Sequence, residues 1–453
     1  MTFRDPATLE LEDEKPSTMS PSLLADEAKL WSQVSGRFRQ IGFSIVDQGF
    51  SVGGMFLVNI ALARIQTKEE YGLFALTYSV FTFLAGIHTA AVLEAYTVHG
   101  SGRYHTRFAA YSWLLWCSNA VLCFALTLIL VLAWRVLSWR TGTFASGTLM
   151  GMALACGFLL TASFVRRSFY MRRRADLAAR FSLVFFSTCM VLLWLSIHTG
   201  KLTGFNAFAM AALSWVVAGL SVIRELPKGD DRSFVELEPG YWQEHWRYSR
   251  WVLITALVFQ LTTQGYYWLA AGFLSVKDVG ELRAMYNLVT PVDQIFVAMS
   301  FLILPMMSRR YTLSRMAGLV PLWKVYCGGS LVVTLCFAGL VNLLGRSAMH
   351  MLYAGKFDDI ARYVGTLVLL PVIMGIGNTM NLALKAAEKP RLVFFAYLCS
   401  GAVTFLLGMP LVIHFGLQGA VYGLLLSASG YTISLAVGFV ATTYDESNTQ
   451  LAT

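Results

Sequence analysis

The sequence predicts an all-α polytopic membrane protein, with about 12 transmembrane helices in two six-helix bundles around a central cavity. Composition is the first observation. The 453-residue chain is 56% hydrophobic and 13% charged, with mean hydropathy +0.59, whereas soluble domains are roughly 45–50% apolar and about 25% charged. Apolar runs are the second. A spanning helix needs about 20 mostly apolar residues, and such runs fall at 41–63, 72–97, 109–133, 144–165, 181–199 and 204–223, then at 249–274, 284–307, 321–344, 362–384, 392–414 and 417–441. The third is that these twelve spans form two sets of six with similar punctuation, on either side of a polar central segment.

Taken in order, residues 1–36 carry Asp5, Glu10, Glu12, Asp13, Glu14, Asp26 and Glu27 against Arg4, Lys15 and Lys29. They have no apolar core, so they read as a disordered or interfacial cytoplasmic tail and not as a signal peptide. Residues 37–224 form the amino-terminal bundle, 225–246 a cytoplasmic linker of mixed charge, 247–442 the carboxy-terminal bundle and 443–453 a short cytoplasmic tail. Leu30 to Arg39 and Tyr241 to Arg247 place aromatic and basic residues just ahead of spans 1 and 7, the pattern of interfacial anchors. Of the 35 Lys and Arg residues, 25 fall on the side of the amino terminus and 10 on the other. The positive-inside rule therefore puts both termini in the cytoplasm. The basic charge of +9 reports topology, and no nucleic-acid partner is expected.

The two halves align by spacing. A shift of 208 residues pairs Arg39 with Arg247, Gly72 with Gly280 and Tyr78 with Tyr286, and a shift of 215 pairs Leu202 with Leu417, Gly204 with Gly419 and Ser214 with Ser429. Six is an even number of crossings, so both halves start on the same side, as in parallel repeats about an axis along the membrane normal.

Several chemistries are absent from the sequence. Its cysteines fall inside spans without CxxC spacing, and its histidines make no HExxH or similar pattern, so neither a metal nor a cofactor is expected. No P-loop, GxSxG or kinase pattern occurs, so the protein does not read as an enzyme.

The turns carry a family resemblance. Ala61-Leu62-Ala63-Arg64 followed by Thr67-Lys68-Glu69-Glu70-Tyr71-Gly72-Leu73-Phe74-Ala75-Leu76 resembles the first hairpin of bacterial polysaccharide flippases of the Wzx type, in the multidrug/oligosaccharidyl-lipid/polysaccharide (MOP) exporter superfamily. Leu93-Glu94-Ala95-Tyr96 with Gly102-Arg103-Tyr104, Ala386-Ala387-Glu388-Lys389-Pro390-Arg391 and Phe415-Gly416-Leu417-Gln418-Gly419-Ala420 resemble later turns of that family. By contrast, His99 to His105 is a poor match to the loop signature of the major facilitator superfamily. The resemblance implies an inner-membrane transporter that flips an undecaprenyl-diphosphate-linked oligosaccharide by alternating access, for O-antigen, lipopolysaccharide or exopolysaccharide assembly. It also implies membrane lipids and other polysaccharide-assembly proteins as partners. The alternatives are a drug or organic-cation antiporter of the same superfamily and a membrane-embedded glycan polymerase or ligase.

Polar residues inside spans suggest the site, because an ionisable group in hydrocarbon is costly unless it faces protein or water. Span 1 sets Ser44, Asp47, Gln48, Ser51 and Asn59 largely on one face, expected to line the cavity. Asp47 is an ion-coupling candidate, with a charge satisfied by a neighbouring helix as the other reading; Asp293 in span 8 and Glu94 near the inner end of span 2 are further coupling candidates. Span 8 also holds Pro291 and Pro305, which are able to kink it. Span 7 supplies Gln260, Gln264 and Tyr267 for weak hydrogen bonds to sugar hydroxyls, or for packing between helices. Ser163, Arg166 and Tyr170, at and just beyond the end of span 4, align with Asn378, Asn381 and Lys385, at and just beyond the end of span 10, under the shift of 215. Arg166, Arg167 and Lys385 are the candidates for a diphosphate head group, since guanidinium grips phosphate in two places. Tyr170, Asn378 and Asn381 complete the expected substrate-binding set. The competing reading of Arg166 and Arg167 is a positive-inside loop touching anionic lipid.

Overall fold

The computed structural model describes residues 21–101, 104, 107–141, 146–226 and 240–452, and these form helices with no strand among them. The elements are α1 (Pro21–Ile65), α2 (Lys68–His88), α3 (Glu94–Ser101), α4 (Phe108–Thr141), α5 (Ser146–Met171), α6 (Ala175–His198), α7 (Gly204–Ser221), α8 (Tyr241–Phe273), α9 (Val276–Tyr353), α10 (Val364–Leu367), α11 (Leu369–Ala386), α12 (Pro390–Val403) and α13 (Met409–Ala452). The protein is a polytopic membrane protein of two six-helix bundles. Bulky apolar side chains such as Phe124, Leu343, Leu406 and Val437 point outward, as hydrocarbon requires.

Nine helical runs among the described residues are long and apolar enough to cross a membrane. The last of these, Pro390–Glu446, holds spans 11 and 12, divided where Gly416 takes φ 59°. Helix α8, which holds span 7, is not among the nine, because Gln260, Gln264 and Tyr267 dilute its apolarity. Two helices run longer than expected. Residues 21–36, read as tail, are helical and continuous with span 1, while residues 1–20 and most of the linker, 227–239, lie outside the described residues. Spans 8 and 9 are two helices of α9 that meet at a break at Ser314 and Arg315, where the backbone leaves helical geometry, while Pro291 and Pro305 do not interrupt the first of them.

The halves begin alike. Thr67 caps α2 by accepting from the Glu70 amide at 3.1 Å, and Ser275, its equivalent under the shift of 208, caps α9 by accepting from the Asp278 amide at 3.3 Å. Such caps satisfy amides that a helix start leaves open. Five residues beyond each cap stand Gly72 and Gly280, and here the two bundles cross. A Cβ on Gly72 would meet the Val276 carbonyl oxygen at 1.9 Å, and one on Gly280 would meet the Gly72 nitrogen at 2.9 Å. Only glycine admits backbones this close. This is the far end of the molecule; the basic end carries Arg166 to Arg174, Arg309 to Arg315 and Lys385 to Arg391.

Charged contacts seal the far end around that crossing. Lys68 pairs with Glu281 at 2.9 Å and Asp359 at 2.8 Å, both from the other half. In return, Lys356 donates to the carbonyls of Ala63, Arg64 and Gln66 where α1 stops, the negative end of a helix dipole. Just beneath, Asn287 donates to Asn59 at 2.8 Å, to Tyr71 at 3.0 Å and to Tyr353 at 3.2 Å.

Candidate functional site

A cavity of about 1480 Å³ lies between the bundles toward the basic end. Its walls come from α2, α3, α8, α11 and α12. Thr82, Gly86 and Gln260 lie deepest, and Gln260 donates to the Thr82 carbonyl at 3.2 Å. Gly86 permits this, since a Cβ there would overlap the Gln260 amide. Charged residues collect toward the mouth: Glu94, Glu244, Arg247, Arg250 and Lys385, with Tyr248, Trp251 and Tyr397 as aromatic neighbours.

Three expected residues line this cavity: Glu94, Gln260 and Lys385. Glu94 lies within Coulombic range of both Lys385 and Arg167, so one carboxylate stands between a cation of each half. Arg167, Arg247 and Lys385 form no ion pair among the described residues. Arg250 lies 5.9 Å from the Trp251 ring centroid, while Glu244 accepts from Tyr104 at 3.1 Å. The cavity thus holds more uncommitted positive than negative charge.

Arg166 and Asp47, expected in different roles, are each other's partner. Asp47 has no exposed surface. Arg166 grips it with Nε at 3.1 Å and Nη2 at 2.7 Å, Tyr170 donates to it at 2.6 Å, and Ser182 donates to its other oxygen. Four donors saturate a carboxylate. The polar face of span 1 therefore does not line the cavity as expected. Its inner part turns into the amino-terminal bundle, and Asn59 joins the buried network at the far end. Gln48 extends this cluster across the interface, accepting from Arg166 at 3.3 Å and donating to Gln294 of α9 at 3.2 Å.

The remaining candidates sit deeper or to one side. Gln264 is buried and donates to Thr263 at 3.5 Å. Asn381 donates to Tyr397 at 3.4 Å, while its carbonyl oxygen is buried without a partner; Asn378, three residues earlier on α11, is half-buried. Asp293 accepts from Tyr286 at 3.2 Å and has no cation paired to it among the described residues. Tyr267 is buried beside Arg283. Arg283 is the residue that sequence reasoning missed: it falls one position before span 8 and so counts as an outer-loop charge. Helix α9, however, starts at Val276 and carries Arg283 between the bundles, where its guanidinium stacks on Tyr78 of the other half at 4.9 Å. The available signal was the Ser275 cap with Asp278 three residues on, which starts the helix early.

A membrane fold of two six-helix bundles is shared with a known class of transporters. No protein-family model matches the chain, and no curated protein matches it in sequence. Solved structures match over nearly its whole length. An inward-facing multidrug resistance MATE family transporter of the MOP superfamily superposes with TM-score 0.74 at 13% identity, covering 89% of this chain and 98% of that one. An outward-facing MATE transporter gives 0.64 at 12% identity, over 91% and 96%. A MOP superfamily transporter from Pyrococcus furiosus, described for the reverse polarity of its binding pocket, gives 0.67 at 12% identity, over 91% and 95%. The chain has the MATE-like fold.

Proposed function

We propose that this protein flips an undecaprenyl-diphosphate-linked oligosaccharide from the cytoplasmic to the outer leaflet by alternating access, as a step in surface-polysaccharide assembly. The observation that carries this reading is the cavity, lined by the cations Arg247, Arg250 and Lys385 against the carboxylates Glu94 and Glu244, with Arg167 within Coulombic range of Glu94. A diphosphate is their natural counter-charge, and the head group it anchors cannot cross hydrocarbon unaided. The basic end is then cytoplasmic. The sealed far end and the higher similarity to the inward-facing than to the outward-facing transporter support an inward-facing resting state.

The roles follow from the placements. Arg167 and Lys385 hold the diphosphate, one from each half. Gln260, Asn378 and Asn381 hydrogen-bond sugar hydroxyls weakly enough for release. Asp293, half-buried with one tyrosine and no paired cation among the described residues, is the carboxylate for proton or cation coupling; Asp47 instead fixes Arg166 and Tyr170. Membrane lipids and polysaccharide-assembly proteins are the partners. The drug-antiporter reading also has an observation in its favour, since Glu94 among Tyr248, Trp251, Phe259 and Tyr397 offers an organic cation a carboxylate and aromatic faces.

Deletion of the gene is expected to leave the lipid-linked repeat unit on the cytoplasmic leaflet, read by leaflet-selective labelling, while sensitivity to cationic dyes stays unchanged. Dye sensitivity with normal surface glycan would decide for the antiporter.

A further inference from the structure

Arg283 lies between two closed layers. On the cavity side, Gln260 donates to Thr82 at 3.2 Å, and on the far side Lys68 pairs with Glu281 and Asp359. Its Nε is buried without a hydrogen-bond partner, and no carboxylate pairs with it among the described residues. The carboxylates on its own helix are engaged elsewhere: Asp278 with Ser275, Glu281 with Lys68 at 2.9 Å and Lys277 at 3.7 Å, Asp293 with Tyr286 at 3.2 Å. Around the guanidinium stand tyrosines of both halves. Tyr78 stacks on it at 4.9 Å, the Tyr267 hydroxyl is within hydrogen-bonding reach, and Tyr71 lies within Coulombic range.

Arg283 is half-buried, with its Nε closed off from water, and a guanidinium so placed needs a counter-charge or acceptors. Tyrosine faces and one hydroxyl meet part of that need. The unfilled direction is along Nε, the edge that carboxylates and phosphates use for paired bonding to guanidinium. The flanking hydroxyls are donors that an oxyanion would accept from.

We infer that Arg283 is the centre of a second anion-binding station, separate from the Arg167 and Lys385 mouth, which takes one oxyanion, a phosphate or a carboxylate, between Arg283, Tyr267 and Tyr78. Because Tyr78 belongs to the amino-terminal bundle and the other two to the carboxy-terminal bundle, opening of the far end pulls the station apart. The bound anion then loses part of its grip as the site meets the far side. The oxyanion comes either from a transported lipid head group or from inorganic anions in solution, and the chemistry of the station is the same for both.

The test needs no transport and does not depend on what the cargo is. The full-length protein in nanodiscs is titrated calorimetrically with inorganic pyrophosphate, inorganic phosphate and geranyl diphosphate at fixed ionic strength. Binding is expected, with Arg283→Gln weakening it by about tenfold or more, as loss of a charged hydrogen-bond pair does. Arg283→Lys should weaken it less, because it keeps the charge, and Tyr267→Phe serves as a milder variant should Arg283→Gln misfold. Binding of inorganic phosphate that depends on Arg283 supports a solution anion as occupant. Dependence seen with the prenyl diphosphate alone supports a head group. If Arg283→Gln, Arg283→Lys and Tyr267→Phe all bind every anion as the parent does, the station does not exist and water satisfies Arg283. The flippase reading has its own controls: Arg167→Gln and Lys385→Gln that leave prenyl diphosphate binding intact argue against the mouth site and leave the station standing.

Discussion

At the scale of single residues, partner geometry separates carboxylates that sequence alone treats alike. Asp47 and Asp293 are both intramembrane acids, but one meets four donors and the other a single tyrosine. Removing one member of a buried ion pair leaves the other uncompensated, at a cost of about 3–5 kcal/mol. Asp47→Asn is therefore expected to lower the midpoint of thermal unfolding in detergent more than Asp47→Asn combined with Arg166→Gln. Asp293→Asn, which strands no cation, should leave that midpoint nearly unchanged while altering the response of transport to an imposed proton or sodium gradient. His245 gives a third residue-scale expectation. It is buried ahead of span 7, where one ring nitrogen donates to the Ala91 carbonyl at 2.9 Å and the other accepts from Tyr111 at 3.1 Å. Burial, with His99 near it, pushes its pKa below the ordinary value of 6.5, and Trp242 stacks on its ring. The folded protein prefers the neutral imidazole, so this contact is fully present above pH 6.5 and is lost as pH falls through the lowered value. Unfolding measured from pH 8 to 5 should show that loss, and His245→Asn should flatten it.

At the scale of elements, the crossing of α2 with α9 depends on two glycines. Gly72→Val or Gly280→Val would drive a side chain into backbone atoms that cannot swing away, so the helices must part. Each variant is expected to raise the labelling of a cysteine placed at Asn287 by a membrane-impermeant thiol reagent added from the far side. The equivalence of these glycines was legible in the sequence, as were the twelve spans, because membrane helices announce themselves by hydropathy and caps by residue type. Glu94, Gln260 and Lys385 were legible too, since polar groups in apolar runs need a polar neighbour. What stayed hidden has a common cause. Hydropathy marks where a helix becomes apolar and not where it starts, so Arg283 and Lys68 read as loop charges although helices carry both into the interface. Periodicity gives a face but not the neighbour it meets, so Asp47 and Arg166 could not be seen as a pair. The continuation of the first part of α9 past Arg309 and Arg310 to the break at Ser314 and Arg315 was obscured in the same way, by charges that resemble a loop.

At the scale of the whole molecule, the two ends are unequally closed. The far end carries interbundle ion pairs, a lysine seated on the end of α1 and a backbone-to-backbone crossing, whereas the other end holds a cavity lined with uncommitted charge. The proposed alternating-access cycle would require that these strengths exchange: the far-end contacts must be firm enough to hold the seal yet weak enough to break in each cycle. Lys68 is the most sensitive point, because as the first residue of α2 it faces two carboxylates of the opposite half. Lys68→Glu places like charges against Glu281 and Asp359, which bias the molecule toward a state open at the far end. Transport should fall several-fold, and far-side thiol labelling at Asn287 should rise. The exchange Lys68→Glu with Glu281→Lys re-creates one attractive pair of the same geometry and should recover part of both readouts. Partial exposure of the Lys68 cluster also makes the seal salt-sensitive, so raising ionic strength should increase far-side labelling of the parent and change the charge-swapped protein in the same direction. Recovery of stability without recovery of transport would show that Lys68 only holds the fold, and would leave the seal to the glycine crossing and to Lys356.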